Sequence, residues 1–368
     1  MSDYKVKELL PTSPFPIAGR LKLDTGEETF TELSSHELLC ENIRSKSIQP
    51  VSIWSLVGPL GIGRTWTMAW LGRQARFYNL NDDESEWDAA LIPGLGGGAN
   101  VRSIFQSIFE STEHLRDEIK QSRNSEEDFE SQRVYDDPIK GYLDAALDNR
   151  SCWAVLTGNR SRFPNLDGIE ETPRWTERQT QLDFLTLWFE YINDAGIDKM
   201  LILLDEFEIV ATSLSKSKLV ELSDGLRSFF DTLESKSDST PNIQLILSLT
   251  TEGATNIDPA VGTQEVAGWV RPLQDRMNPP YIFETISEEE AFRILENVME
   301  AKRIEELEEP YEPYTEEGVV RAYEASKGLP RKFAKTLNQM HQYAYQEKTI
   351  SVDHAEEAID ALGLRTTE

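Results

Sequence analysis

Four short apolar runs constrain the fold of this chain most strongly. They read VSIWSLV (51–57), KMLILLDEFEIV (199–210), NIQLILSLTTEG (242–253) and YIFETIS (281–287), and stretches with helical spacing separate them. Because their apolar residues are continuous rather than alternating, the runs predict strands that are covered on both faces. Such strands alternating with helices favour a parallel sheet with helices on either side, which is an α/β fold.

The pattern changes near residue 286. From Ser287 onward every segment has helical spacing, and the first of these helices opens on a capping box formed by Ser287 and Glu290. The sequence therefore predicts three parts: an N-terminal segment, 1–50, that packs on the core; an α/β core, 51–286; and a small all-helical lid domain, 287–368.

Residues 80–180 are less regular and predict an insertion in the core. Within them, residues 103–120 have the spacing of an amphipathic helix, and CWAVLTG (152–158) reads as a strand. PGLGGGAN (93–100) could hold a ligand, but no convincing strand precedes it, so a plain loop is the favoured interpretation.

The composition excludes several classes of protein. The formal net charge is -28, which repels a nucleic-acid backbone, so we expect DNA contact only through partners or a local basic patch. That acidity fits either a very salty cytosol or a merely solvated acidic surface. Two cysteines and scattered histidines predict neither disulfides nor a zinc site. With no membrane-length apolar run and no signal peptide, the sequence predicts a cytoplasmic protein that does not enter membranes.

GPLGIGRT (58–65) joins the first predicted strand to a helix. Three glycines allow a loop to wrap closely around phosphates, and Thr65 offers a hydroxyl to Mg²⁺. The position that usually holds a lysine carries Arg64, whose planar guanidinium differs from a compact ammonium. The alternative interpretation is a tight strand-to-helix turn.

Two acids, Asp205 and Glu206, end the apolar run LILL. Carboxylates at the end of a buried strand are costly unless they have a role, and here one could hold Mg²⁺ while the next activates water. The alternative is an ordinary helix start, where acids favour the helix dipole.

Three further residues are candidates for contact with phosphates. Thr250 ends the run LILSLT, beside Asp205 in a parallel sheet, although it is equally explained as a turn residue. Arg331 stands in the first turn of a predicted lid helix, and Arg276 precedes the last strand and could act as an arginine finger. A surface salt bridge is the alternative for both arginines.

These motifs resemble those of the AAA+ ATPases, particularly the origin-recognition initiator type, and of the ATP-binding proteins of BREX-type phage defence. The similarity rests on GPLGIGRT as Walker A, LILLDE as Walker B, the end of LILSLTTE as sensor 1 and GLPRKF as sensor 2. It covers about residues 30–346. The resemblance implies a P-loop NTPase core with a helical lid, bound ATP and Mg²⁺, and assembly into homo- or hetero-oligomers.

The resemblance also implies residue roles. Asp205 and Thr65 would serve the metal, Glu206 would be the catalytic base, Thr250 would be sensor 1, Arg331 would be sensor 2 and Arg276 would be the finger. The nucleotide would be held by a continuous stretch: Gly58, Pro59, Leu60, Gly61, Ile62, Gly63, Arg64, Thr65 and Trp66.

This sequence departs from the family in three respects. Arg64 replaces the family lysine, about 140 positions separate Thr65 from Asp205, and only about 20 residues follow the last long lid helix, too few for a winged-helix DNA-binding domain. We therefore expect an ATP-dependent switch or motor subunit of a DNA-processing or defence complex. The alternatives are a scaffold that binds ATP without hydrolysing it and a purely structural protein.

Overall fold

A computed structural model describes residues 5–12, 15, 34–47, 49–78, 80, 85–94, 100–125, 137–167, 169, 171–209, 214–257, 276–304 and 309–365. The chain divides into two compact units. The helical unit contains Met1–Leu38, Gly58–Thr67 and Ile282–Glu368, and the sheet unit contains Leu39–Val57 and Met68–Tyr281.

The sheet has five strands in the order β2-β3-β4-β1-β5. The strands are β1 (Val51–Gly58), β2 (Trp87–Ile92), β3 (Lys199–Leu204), β4 (Asn242–Thr250) and β5 (Tyr281–Ile282). β3 pairs in parallel with β2 on one side and with β4 on the other, with Leu204 opposite both Ile92 and Leu247. The predicted α/β class with a parallel sheet is confirmed.

The helices are α1 (Val6–Leu9), α2 (Ser34–Lys46), α3 (Arg64–Tyr78), α4 (Val101–Ser111), α5 (Arg116–Ser125), α6 (Pro138–Asp148), α7 (Arg150–Leu156), α8 (Arg178–Asp194), α9 (Lys216–Ser235), α10 (Thr251–Ile257), α11 (Glu288–Lys302), α12 (Glu316–Ser326), α13 (Pro330–Tyr343) and α14 (Val352–Ala361). Among the residues that the model describes, none of these helices has the length and apolarity that a membrane crossing requires.

Strand β2 was missing from the sequence interpretation. Its sequence, WDAALI, places a buried carboxylate, Asp88, in an edge strand that follows an acidic stretch. Arg76 of α3 and His114 satisfy that carboxylate at 3.0 and 2.7 Å. The premise that no strand precedes the glycine-rich stretch 93–100 was therefore wrong, because Pro93 follows β2 directly; residues 95–99 lie outside the described residues.

The region 100–180 contributes helices to the same hydrophobic core as the strands. Phe109, Trp153 and Trp188 meet within it at ring-centroid distances of 5.2–5.8 Å. The strand predicted at 152–158 was wrong, since α7 occupies most of it and Asn149 caps that helix. A short apolar run buried on one side cannot be assigned to strand or helix from periodicity alone.

A second hydrophobic core lies in the helical unit. α11, α12, α13 and α14 surround Leu295, Phe333, Leu337 and Met340. Val6, Leu10 and Phe15 pack there as well, whereas the sequence predicted that the segment 1–50 packs on the α/β core. Asn338 explains this, because its side chain accepts from the Phe15 amide at 3.1 Å and donates to the Phe15 carbonyl at 3.0 Å.

Candidate functional site

The loop between β1 and α3 contains two glycines in the left-handed conformation. Gly61 and Gly63 have φ angles of 88° and 105°, which are left-handed values that favour glycine. α3 begins immediately afterwards, at Arg64, so the loop runs into a helix N-terminus. The Thr65 side chain is exposed, whereas Arg64 is 8% exposed and lies against protein.

Residues of the helical unit approach this loop closely. A Cβ added to Gly58 would lie 3.1 Å from Cβ of Phe283, and one added to Gly61 would lie 3.1 Å from Cβ of Arg331. The Arg331 amide donates a hydrogen bond to the Gly61 carbonyl at 3.0 Å. The structure therefore brings the predicted sensor 2 residue to the predicted phosphate loop.

The remaining loop residues differ in exposure. Pro59 and Leu60 are exposed, and Leu60 reaches 72%. Ile62 is buried, and its amide donates to the Pro59 carbonyl at 3.3 Å, which closes the turn. Trp66 is half-buried in the first turn of α3.

His36 of α2 fixes the start of α3. Its Nε2 lies 3.1 Å from Oγ1 of Thr67, and the ring is 1% exposed. Burial lowers the pKa of His36 to about 4, although the nearby Glu290 carboxylate acts in the opposite direction. The imidazole is therefore neutral at pH 7, and the first turn of α3 is held without a charge.

In the sheet unit, the two acids at the end of β3 lie against the end of β2. The Asp205 amide donates to the Ile92 carbonyl at 3.1 Å, and the Asp205 side chain is buried. Glu206 has a left-handed φ of 52° and is exposed. One of its carboxylate oxygens lies 2.9 Å from where a Cβ of Gly94 would stand. Gly94 is therefore a residue that sequence reasoning missed, and the glycines of 93–100 were its only signal.

Thr250 acts as a turn residue in this structure. Its Oγ1 accepts a hydrogen bond from the Gly253 amide at 2.9 Å, at the start of α10. Glu208 packs against the same glycine, where its Cβ leaves no room for a side chain on Gly253. The ends of β3 and β4 thus meet at Gly253, while the sensor 1 role of Thr250 stays a prediction.

Arg276 forms ion pairs within the sheet unit. Its guanidinium lies 2.7 Å from Asp231 and 2.5 Å from Glu234, both on α9. This is the surface salt bridge that the sequence left open as the alternative to an arginine finger. The finger role stays an untested prediction.

Each of the two predicted metal ligands carries an oxygen donor of the kind that a hard cation prefers. Mg²⁺ prefers oxygen ligands, and Thr65 and Asp205 offer a hydroxyl and a carboxylate. Asp205 Oδ1 accepts the Glu206 amide at 2.9 Å, whereas Oδ2 accepts no hydrogen bond from the described residues. In the described part of the chain, no three His, Cys, Asp or Glu side chains group as a metal site of their own.

The cysteines offer no competing chemistry among the residues described. Cys40 and Cys152 are both buried, and neither forms a disulfide within the described residues. Burial raises the pKa of the Cys152 thiol to about 11, with the positive charge of Arg160 acting against it. At neutral pH that side chain is a thiol rather than the thiolate that nucleophilic catalysis requires.

The similarity of this chain to known proteins is a similarity of fold. The structure of the Aeropyrum pernix ORC2 protein in ADPNP-ADP complexes matches with a TM-score of 0.53 and 13% identity, over 92% of this chain and 70% of that one. The ADP form of the same protein matches with a TM-score of 0.50 and 14% identity, over 94% and 70%. No family model matches the sequence, and no curated protein matches it significantly. At this level of identity the likeness shows a shared fold, the α/β fold with a parallel sheet described above.

Proposed function

We propose that this chain is an ATP-binding switch or motor subunit of a multi-protein complex that processes DNA or defends against phage. The observation that carries the proposal is the loop Gly58–Thr65, whose left-handed glycines lie between a buried strand and a helix N-terminus. Such a loop directs backbone N–H groups toward a phosphate, and the helix dipole favours the negative charge.

The charge around the loop supports this proposal. The protein is strongly acidic, yet the first two turns of α13 expose Arg331, Lys332 and Lys335 and contain no acid in the first turn. Arg331 touches the loop through Gly61. A local concentration of cations beside left-handed glycines suits a triphosphate better than a structural turn.

The strand-end acids supply the rest of the proposed chemistry. Asp205 would hold Mg²⁺ together with the Thr65 hydroxyl, and bound Mg²⁺ would neutralise charge on the phosphates. Glu206, which is exposed, would accept the proton of the attacking water. Thr250 and Arg331 would contact the terminal phosphate, and Arg276 would serve a neighbouring subunit's nucleotide.

Phosphate release tests this proposal directly. We expect a Mg²⁺-dependent release of phosphate from ATP that is at least tenfold slower in Glu206→Gln. The amide cannot accept the proton of the attacking water, and a general base typically contributes 10²–10⁴-fold to the rate. Glu221→Gln is the matched control, since Glu221 is an exposed carboxylate of α9. Equal turnover in wild type and Glu206→Gln would contradict the assignment.

A second candidate function is a scaffold subunit that binds ATP without hydrolysing it. Arg64 favours this function. Its largely buried guanidinium stands at the position where the AAA+ family, which the motifs resemble, has the ammonium of a lysine. The scaffold requires ATP-dependent oligomerisation that Glu206→Gln leaves unchanged, with no phosphate release above background. Light scattering with and without Mg²⁺-ATP measures that assembly.

A further inference from the structure

Helix α13 begins without a side-chain cap. Its N-cap residue, Leu329, has no polar side chain, and Pro330 at the first helical position has no N–H. The amides of Lys332 and Phe333 both donate to the Leu329 carbonyl at 3.0 Å. In this first turn the Arg331 amide therefore needs an acceptor from elsewhere.

The predicted phosphate loop provides that acceptor. The Gly61 carbonyl receives the Arg331 amide at 3.0 Å, and the two residues touch, since a Cβ added to Gly61 would lie 3.1 Å from Cβ of Arg331 and 3.6 Å from its Cδ. Both partners belong to the helical unit. The loop thus caps α13, at a position where a side chain would press on Arg331.

This hydrogen bond fixes the orientation of a whole peptide unit. In a planar trans peptide the C=O and the N–H point in opposite directions. When the Gly61 carbonyl points to Arg331, the Ile62 amide therefore points away from α13. Within the described part of the chain, its one hydrogen bond is to the Pro59 carbonyl, at 3.3 Å. An amide with so long a hydrogen bond is readily taken over by a stronger acceptor.

The start of α13 is also anchored within the helical unit. The Ile286 amide donates to the Gly328 carbonyl at 3.0 Å, and Gly328 has a φ of 68° with Thr285 and Ile286 packed against it. Phe333, one turn into the helix, is buried. The start of α13 therefore has little freedom to move, and the Arg331 amide donates to the Gly61 carbonyl from a fixed position.

We propose that Arg331 is a positioning residue that acts through its main-chain amide: it orients the Gly61–Ile62 peptide so that the Ile62 N–H faces the phosphates of a bound nucleotide. This role is separate from any contact of the guanidinium and rests on the proposed nucleotide binding. Coupling runs both ways, because a phosphate on the Ile62 N–H polarises the peptide and strengthens the bond at its other end.

Amide hydrogen exchange of the full chain tests this inference. Without ligand, we expect a protected Arg331 amide in wild type and in Arg331→Ala, which keeps the N–H. We expect exchange at least tenfold faster in Gly61→Ala, whose methyl group would press on α13. Gly63→Ala is the matched control: its φ of 105° imposes similar backbone strain, but nothing lies within 4 Å of the added Cβ.

Inorganic triphosphate with Mg²⁺ is the ligand for the second arm, which uses wild type alone and so does not depend on whether a variant folds. We expect slower exchange at both Ile62 and Arg331. Triphosphate binding with an Arg331 amide that exchanges as in an unfolded peptide would overturn this inference and leave the proposed function intact. Protected amides without any triphosphate binding would contradict the proposed function and the anion role together, while the cap itself stands.

Discussion

The two proposed functions differ in the role that they give to Arg64. It begins α3 directly after left-handed Gly63, and its side chain is largely buried. A compact ammonium on a flexible stem reaches phosphates as a point charge, whereas a guanidinium is planar and geometrically demanding. The switch-or-motor interpretation and the scaffold interpretation make opposite statements about what a lysine would do here.

We predict that Arg64→Lys raises ATP turnover at least tenfold, because it restores the usual cation to a loop whose backbone is otherwise suited to phosphate. Steady-state phosphate release measures the effect. Arg73→Lys, a change of the same kind two turns further along α3, should leave turnover unchanged. Turnover that stays at background in Arg64→Lys, with ATP still bound, would favour the scaffold.

His36 makes folding stability depend on pH. Its pKa is about 4 in the folded protein, chiefly through burial, against 6.5 when exposed. The unfolded chain therefore binds this proton first, so stability is complete above pH 6.5 and falls as the pH drops toward 4. At about 1.4 kcal/mol per pH unit, the loss totals on the order of 3 kcal/mol.

The matched variant is His36→Gln, which cannot titrate. Urea unfolding at pH 7.0 and 5.5 measures how much the free energy of unfolding falls between these pH values. That fall should be larger for wild type than for the variant by about 1 kcal/mol. That window lies above the range where carboxylates titrate. His341, whose pKa burial also lowers despite its bond to the Leu10 carbonyl, remains in both proteins. Identical losses would show that His36 is not buried as a neutral ring.

At the scale of single elements, Asp88 holds β2 at the edge of the sheet. Burial raises the pKa of this carboxyl, but the hydrogen bond and charge of His114, the charge of Arg76 and the Ala89 amide together hold it below its usual value. The carboxylate thus stays ionised while buried and links β2 to α3 and to the turn after α4.

We predict that Asp88→Asn destabilises the fold by about 3 kcal/mol, since the half-buried Arg76 guanidinium loses its ion pair with the buried Asp88 carboxylate. Urea unfolding measures the change. Glu289→Gln is the control, because Glu289 forms an exposed ion pair with Arg293. Its substitution should lower the free energy of unfolding by about 0.5 kcal/mol or less. A cost for Asp88→Asn as small as that of the control would contradict the buried ion pair.

The sequence predicted well the elements whose apolar pattern is supported by the segments around them. The continuous apolar runs of β1, β3 and β4 alternate with stretches of helical spacing, which favours covered strands, and the glycines before α3 mark a strand-to-helix loop. β2 escaped notice because its buried aspartate looks like a surface residue until Arg76 and His114 are seen beside it. The cap that the loop provides for α13 was equally hidden, because Gly61 and α13 are far apart in sequence.

At the scale of the whole molecule, charge limits the partners. A net charge of -28 opposes direct binding to a nucleic-acid backbone, and the exposed cations of α13 are close to the loop. We therefore propose that any DNA contact is made through other subunits or through a local basic patch.

Magnesium-dependent binding of ATP is the measurement that tests the central claim most directly. The thermal unfolding of the full chain with ATP, with and without Mg²⁺, should show stabilisation that requires the metal. At a hundredfold excess of ligand over its dissociation constant the gain is about 2.7 kcal/mol. We predict that Asp205→Asn abolishes the metal dependence. Unfolding temperatures unaffected by saturating Mg²⁺-ATP would contradict nucleotide binding by this chain.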